Sequence, residues 1–151
     1  MTITINDVVE YARKISSGEH ETVSPGQPYT FSEASVEGDM VWQGDLGIGL
    51  VKNEIPKHYQ KSDAIHNLVP GNDNTIGSKH CLTSLQGVTM WFPKNWNEES
   101  LEGPFLQLSN GATISHPVHG DVNIPACFDA VQIVYQREWD LEQARERRAR
   151  D

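Results

Sequence analysis

The sequence predicts a mainly β domain, an antiparallel sandwich of jelly-roll-like, cupin-like type. Three observations lead there. Short apolar runs recur between turn residues at the spacing typical of sandwiches and barrels. Twelve glycines and eight prolines are scattered singly along the chain, as tight turns between strands require. Four Trp, four Tyr and four Phe supply bulky side chains for a small core. With 151 residues the chain is one domain's worth and folds without staples. The domain is expected over residues 1–139, followed by a charged tail at 140–151.

Taken in order, the first element is a short helix over about residues 6–17. Asn6 can cap it, Asp7 and Glu10 suit its positive end, and Arg13 and Lys14 suit its negative end. Val8, Ala12 and Ile15 recur at helical spacing, and Gly18 can end the run. A polar connector around Ser24-Pro25-Gly26 leads to strands that begin near Tyr29. Residues 42–51 read as one strand, with Trp42, Leu46, Ile48 and Leu50 on one face and Gln43 and Asp45 on the other. Its glycines, Gly44, Gly47 and Gly49, ask for a bulge, a bend or a close neighbour.

Residues 53–63 read as a surface loop, 64–69 as a strand, and Pro70-Gly71-Asn72-Asp73-Asn74 as a turn. Strands follow at 75–82 and 88–92, the second stopped by Pro93, and then a polar excursion at 95–103. Residues 105–108 and 112–116 flank Asn110-Gly111, a strong hairpin signal. A short run at 122–125 precedes the last strand, centred on Val131, Ile133 and Tyr135. In the tail, Asp140 and Gln143 resemble a capping box before a run of mixed charge.

The formal charge of −9 disfavours a nucleic-acid backbone as partner, because neutralising phosphates needs clustered Lys and Arg. It also repels anionic membranes and suits a basic protein surface. The first residues lack the basic start and apolar core of a signal peptide, and no run reaches spanning length. Cys81 and Cys127 make neither a disulfide framework nor a zinc spacing. Together these features predict a cytoplasmic protein with reduced thiols.

The chemistry concentrates in histidines. His116 and His119 flank Pro117-Val118 where a strand runs into a turn, and His80 lies in another strand-like run. If the two runs are neighbours, three imidazoles converge. Imidazole favours zinc, iron, nickel or copper over magnesium or calcium. Asp121, Asp45 and Glu54 are the carboxylates that would complete such a set. Cys81 adjoins His80, but neighbours on a strand point to opposite faces, which weighs against a Cys-His pair. The segment Gly44-Asp45-Leu46-Gly47-Ile48-Gly49 lacks the lysine of a phosphate loop.

Four pieces, Gln43-Gly44-Asp45-Leu46, Gly77-Ser78-Lys79-His80, Ser115-His116-Pro117-Val118-His119-Gly120 and Tyr135-Gln136-Arg137-Glu138-Trp139-Asp140, resemble those of a set of small β-rich bacterial and phage proteins. That set carries no assigned activity. It usually has a further histidine beside the position of Ser78 or Lys79, which this chain lacks. The resemblance implies one constellation of Gln43, Asp45, His80, His116, His119, Arg137 and Glu138. Arg137 also reads as a bridge to a carboxylate such as Asp45, beside a core-covering Trp139.

The first functional expectation is a small, acidic, non-catalytic binding or accessory module, in a protein complex or in phage–host conflict. Its partner would be a protein with a basic face or a small molecule. The candidate contact surface is the 95–103 excursion together with Trp91 and Trp96 as anchors, with Gln43, Asp45, Arg137 and Glu138 as further contacts. The alternative is a cupin-like metalloprotein or metal-dependent enzyme. There His80, His116 and His119 hold one transition-metal ion, and Asp45 or Glu138 carries the proton of a bound water. A third expectation is a pH-responsive fold, because inward histidines resist charging. Strand order and oligomeric state are left open.

Overall fold

A computed structural model describes residues 21–22, 27–70, 79–97 and 100–136. The expected helix at 6–17, the tail at 140–151, and Arg137 and Glu138 lie outside the described residues. The chain is mainly β. Its strands are β1 (Glu21–Thr22), β2 (Tyr29–Thr30), β3 (Met40–Gln43), β4 (Leu46–Leu50), β5 (Tyr59–Ser62), β6 (Cys81–Leu82), β7 (Val88–Pro93), β8 (Glu102–Leu108), β9 (Ala112–Ser115), β10 (Val122–Ile124) and β11 (Ala130–Tyr135).

Two sheets result. One is seven-stranded, in the order β1-β3-β4-β11-β8-β7-β5; the other is four-stranded, in the order β2-β10-β9-β6. Pairing is antiparallel except between β1 and β3 and between β2 and β10. The main core draws on both sheets: Ile48, Leu106, Val131 and Ile133 from the larger, Leu82, Ile114, Val122 and Ile124 from the smaller. A second cluster of Trp42, Val51, Tyr59, Leu101, Phe105, Ala130 and Val134 packs separately. Central β11 lies between β4 and β8 and is buried along its whole length. This explains why it reads as an apolar run rather than an alternating one.

Four expectations about single elements need correction. Residues 42–51 are not one strand but the hairpin β3–β4, with Gln43 paired to Leu46 across Gly44-Asp45. Gly44 has φ of 59°, the left-handed conformation that a two-residue hairpin turn takes at its first central position. Partners across a hairpin share a face. Gln43 therefore points inward with Leu46, while Trp42 joins the second cluster. Residues 64–69 contribute only the isolated bridge of Asn67 with Cys81.

The supposed loop at 53–63 contains β5, an edge strand paired to β7. It escapes notice because Gln60 and Lys61 are exposed and only Tyr59 is buried. Asn110-Gly111 does not close a hairpin either. Both edges of β8 are taken by β7 and β11, so β9 crosses to the other sheet and pairs with β10 and β6. Among the described residues, no helix is long and apolar enough to cross a membrane.

Candidate functional site

The site forms where the β3–β4 turn, the residue before β6 and the turn after β9 meet. The turn at Gly44 brings Gln43 in and leaves Asp45 at the rim. His80 immediately precedes β6 and is fully buried, at 0% exposure. Its backbone carbonyl accepts the amide of Leu68 at 2.9 Å. His116 follows β9 on the inward side, continuing from Ile114. The three rings stand in file, with centroids 4.4 Å apart from His80 to His116 and 4.7 Å from His116 to His119. The convergence that the spacing suggested is present.

The hydrogen bonds give each ring a different set of partners. The Gln43 amide nitrogen donates to the carbonyls of Ile114 and Gly120, both at 2.9 Å. That fixes the amide's orientation and turns its oxygen toward His80 Nδ1, at 2.9 Å. The other ring nitrogen, Nε2, faces Asp45 Oδ1 at 2.8 Å. Gln43 Oε1 and Asp45 Oδ1 thus occupy both ring nitrogens of His80 within the fold. His116 differs: its Nδ1 accepts the backbone amides of Val118 at 3.0 Å and His119 at 3.1 Å. Its proton therefore sits on Nε2.

His119 lies over the hairpin turn. A Cβ on Gly44 would come within 2.6 Å of its Nε2. Its buried Nδ1 has no hydrogen-bond partner among the described residues.

A metal ion needs an in-plane nitrogen lone pair from each imidazole. Both nitrogens of His80 are already engaged by Gln43 and Asp45, and the Nδ1 lone pair of His116 is taken by two backbone amides. Among the described residues, no group of three or more His, Cys, Asp or Glu is placed to hold a metal ion. The donor set does not fit the ion that the sequence suggested.

Asp45 is the ionisable rim of the cluster. The hydrogen bond from His80 holds its carboxyl below the usual carboxylate range. Partial burial pushes the other way, and the charge of His80 adds to the lowering. A lowered folded-state value means that the stabilisation is complete above the unfolded value of about 3.9. It is lost as pH falls through the folded value. Because 61% of the Asp45 side chain is exposed, D45N is expected to cost no more than about 1 kcal/mol at neutral pH. Urea unfolding at about pH 7 and about pH 3 checks this, since the gap between wild type and D45N closes at the lower pH.

No family model matches this chain, and no curated protein or solved structure does. The site therefore stands on its own geometry.

A second polar network escaped the sequence reading. Buried Glu102 bonds His58 Nε2 at 2.6 Å. Beside it, the Tyr59 hydroxyl donates to the Gly103 carbonyl at 3.0 Å and accepts from Gln132 Nε2 at 3.0 Å. Burial, reinforced by the adjacent Glu102 charge, pushes the Tyr59 phenol far above its ordinary value, so it stays a neutral donor. The available signals were a charge at the head of an apolar strand, Glu102, and an amide within another, Gln132. The expected tryptophan anchors are both half-buried. Trp91 bonds Gln107 Oε1 at 2.9 Å, and Trp96 packs edge-on against Phe92.

Proposed function

We propose that this chain is a non-catalytic binding module that takes a basic segment of a partner protein. The proposed surface is the acidic cleft beside Val36. One observation carries the reading. Val36 is 63% exposed, a rare position for a large apolar side chain here, and it borders a cleft of about 540 Å³. Glu37, Val51, Phe128 and Asp129 line the same cleft. An apolar floor with carboxylates at its edge accommodates the stem of a Lys or Arg and pairs its head.

The loop that presents Val36 is held in shape. The Val36 amide bonds Asp39 Oδ2 at 2.9 Å, the Asp39 amide bonds the Val36 carbonyl at 3.0 Å, and Gly38 and Asp39 tie to Leu50 of β4. Preformed loops bind with less ordering cost. On this reading the histidine cluster holds the fold, and the partner meets the protein elsewhere. We also read the two sheets as faces of one jelly-roll-type sandwich, supported by their shared core. A reducing, cytoplasmic setting suits Cys81 and the exposed Cys127, both free thiols.

The test uses fluorescently labelled peptides alternating Arg or Lys with Leu, and Glu-Leu peptides as comparators, binding to the full chain. Binding of the basic peptides is expected to weaken steeply with salt and to vanish in the double variant E37K/D129K. Equal binding of both peptide classes, or unchanged binding by the variant, overturns the reading. Elemental analysis tests the competing one. One equivalent of metal, lost when His80, His116 and His119 are all replaced by Ala, would restore the metalloprotein.

A further inference from the structure

A second cleft differs from the first in the feature that matters for ligand choice. It measures about 600 Å³ and lies on the outer face of the four-stranded sheet, between the 83–87 loop and the 109–111 turn. This is within the size range of small-molecule sites. Among the described residues that line it, none is Asp, Glu, Lys, Arg or His, in a chain where charged residues make up 22%. Solvent-facing strand positions usually carry such charges. Here they carry hydroxyls and amides.

Those groups form an ordered row across three strands. Thr113 Oγ1 on β9 donates to Asn123 Oδ1 on β10 at 2.9 Å, and Asn123 Nδ2 donates to Thr30 Oγ1 on β2 at 3.2 Å. Each member keeps unused valence. Thr30 retains its hydroxyl proton, Thr113 its lone pairs, and Asn123 its second amide proton. The row thus offers an acceptor at Thr113 and donors at Asn123 and Thr30, with their orientation already set. The walls are also tied: Thr83 N bonds the Thr113 carbonyl at 3.0 Å, and Ser109 N bonds the Gly87 carbonyl at 2.9 Å.

We infer that this cleft is a binding site for a neutral saccharide. The chemistry excludes the other classes in turn. A phosphate or carboxylate would find no cation in the cleft and a net charge of −9 around it. A cationic ligand would find no carboxylate there, and a wholly apolar one would leave the polar row unpaired. Vicinal sugar hydroxyls, each both donor and acceptor, can meet a row that offers both kinds of valence. Half-buried Pro125 supplies apolar contact for the C–H face of the ring. This site is separate from the acidic cleft and stands whether or not that one binds a basic segment.

Amide chemical shifts of the full ¹⁵N-labelled chain, titrated with glucose, galactose, mannose, N-acetylglucosamine and cellobiose, test the assignment. Glucose 6-phosphate, glucuronate and glucosamine are the charged comparators. At least one neutral sugar is expected to give saturable shifts at Thr30, Thr113 and Asn123. T113V and T83V, which remove one hydroxyl each, are expected to weaken it about tenfold. Thr83 makes no side-chain hydrogen bond among the described residues, so T83V remains a fair test even if T113V fails to fold. The assignment is overturned by any of four results. These are no saturable shift up to about 50 mM sugar, shifts mapping away from the row, charged analogues binding equally well, or a folded T83V with full affinity.

Discussion

Replacing His80 by Ala is expected to destabilise the protein by about 3–5 kcal/mol, measured by urea unfolding. Two effects combine. Removing a fully buried ring leaves a cavity, and large-to-Ala changes in cores cost about 2–5 kcal/mol. It also strands the Gln43 amide oxygen, itself at 0% exposure, and an unpaired buried acceptor costs about 1–3 kcal/mol. The Asp45 carboxylate, being largely exposed, rehydrates and adds little. The two main contributions overlap because the void lets the amide relax, so they do not simply add.

The companion variant Gln43→Leu keeps the volume but leaves the buried Nδ1 of His80 facing an apolar group. It also leaves the Ile114 and Gly120 carbonyls without their donor. A loss of about 3–5 kcal/mol is expected there too. A metal centre predicts a different pattern, in which the loss appears only in metal-loaded protein and vanishes in chelator. Equal losses with and without chelator support the structural lock; a His80 loss below about 1 kcal/mol removes it.

The interpretable part of the sequence was the part governed by local rules. Prolines, glycines and apolar runs mark β7, β10 and β11 because strand ends and burial leave signatures within a few residues. The proximity of His80 to His116 followed from treating two strand-like runs as neighbours, and β6 and β9 do pair. Facing was harder to read. Period-two alternation assumes an unbroken strand, and the turn at Gly44-Asp45 resets its parity. Trp42, four residues from Leu46, therefore looked as if it shared a face with it and does not. The hydrogen-bond roles of the histidines were beyond local reading. Whether an imidazole donates or accepts depends on Ile114, Gly120 and Gln43, groups distant in sequence that the fold brings together.

The same dependence makes Gly120 the most sensitive backbone position outside the strands. An added Cβ there would sit inside the backbone of Gln27, overlapping its carbonyl. Main chain cannot rotate away as a side chain would, so either residues 27–31 or the 116–121 turn must move. If the first moves, the bonds from Tyr29 N to Asp121 O at 2.8 Å and from Phe31 N to Asn123 O at 3.1 Å break, and β2 leaves β10. If the second moves, Gln43 loses one of the two carbonyls that orient its amide, and His80 loses its fixed partner. Overpacking costs about 1–3 kcal/mol where side chains can adjust. With backbone against backbone, G120A is expected to exceed that range, at about 4 kcal/mol. P117A, an exposed neighbour in the same turn, is the control and should stay within about 0.5 kcal/mol. Hydrogen exchange then tells which side gave way: early loss of protection at Tyr29 and Phe31 indicates the β2 edge, and loss at Val118 and His119 indicates the turn. Equal stability of G120A and wild type would mean that the close approach of these two segments does not hold the cluster together.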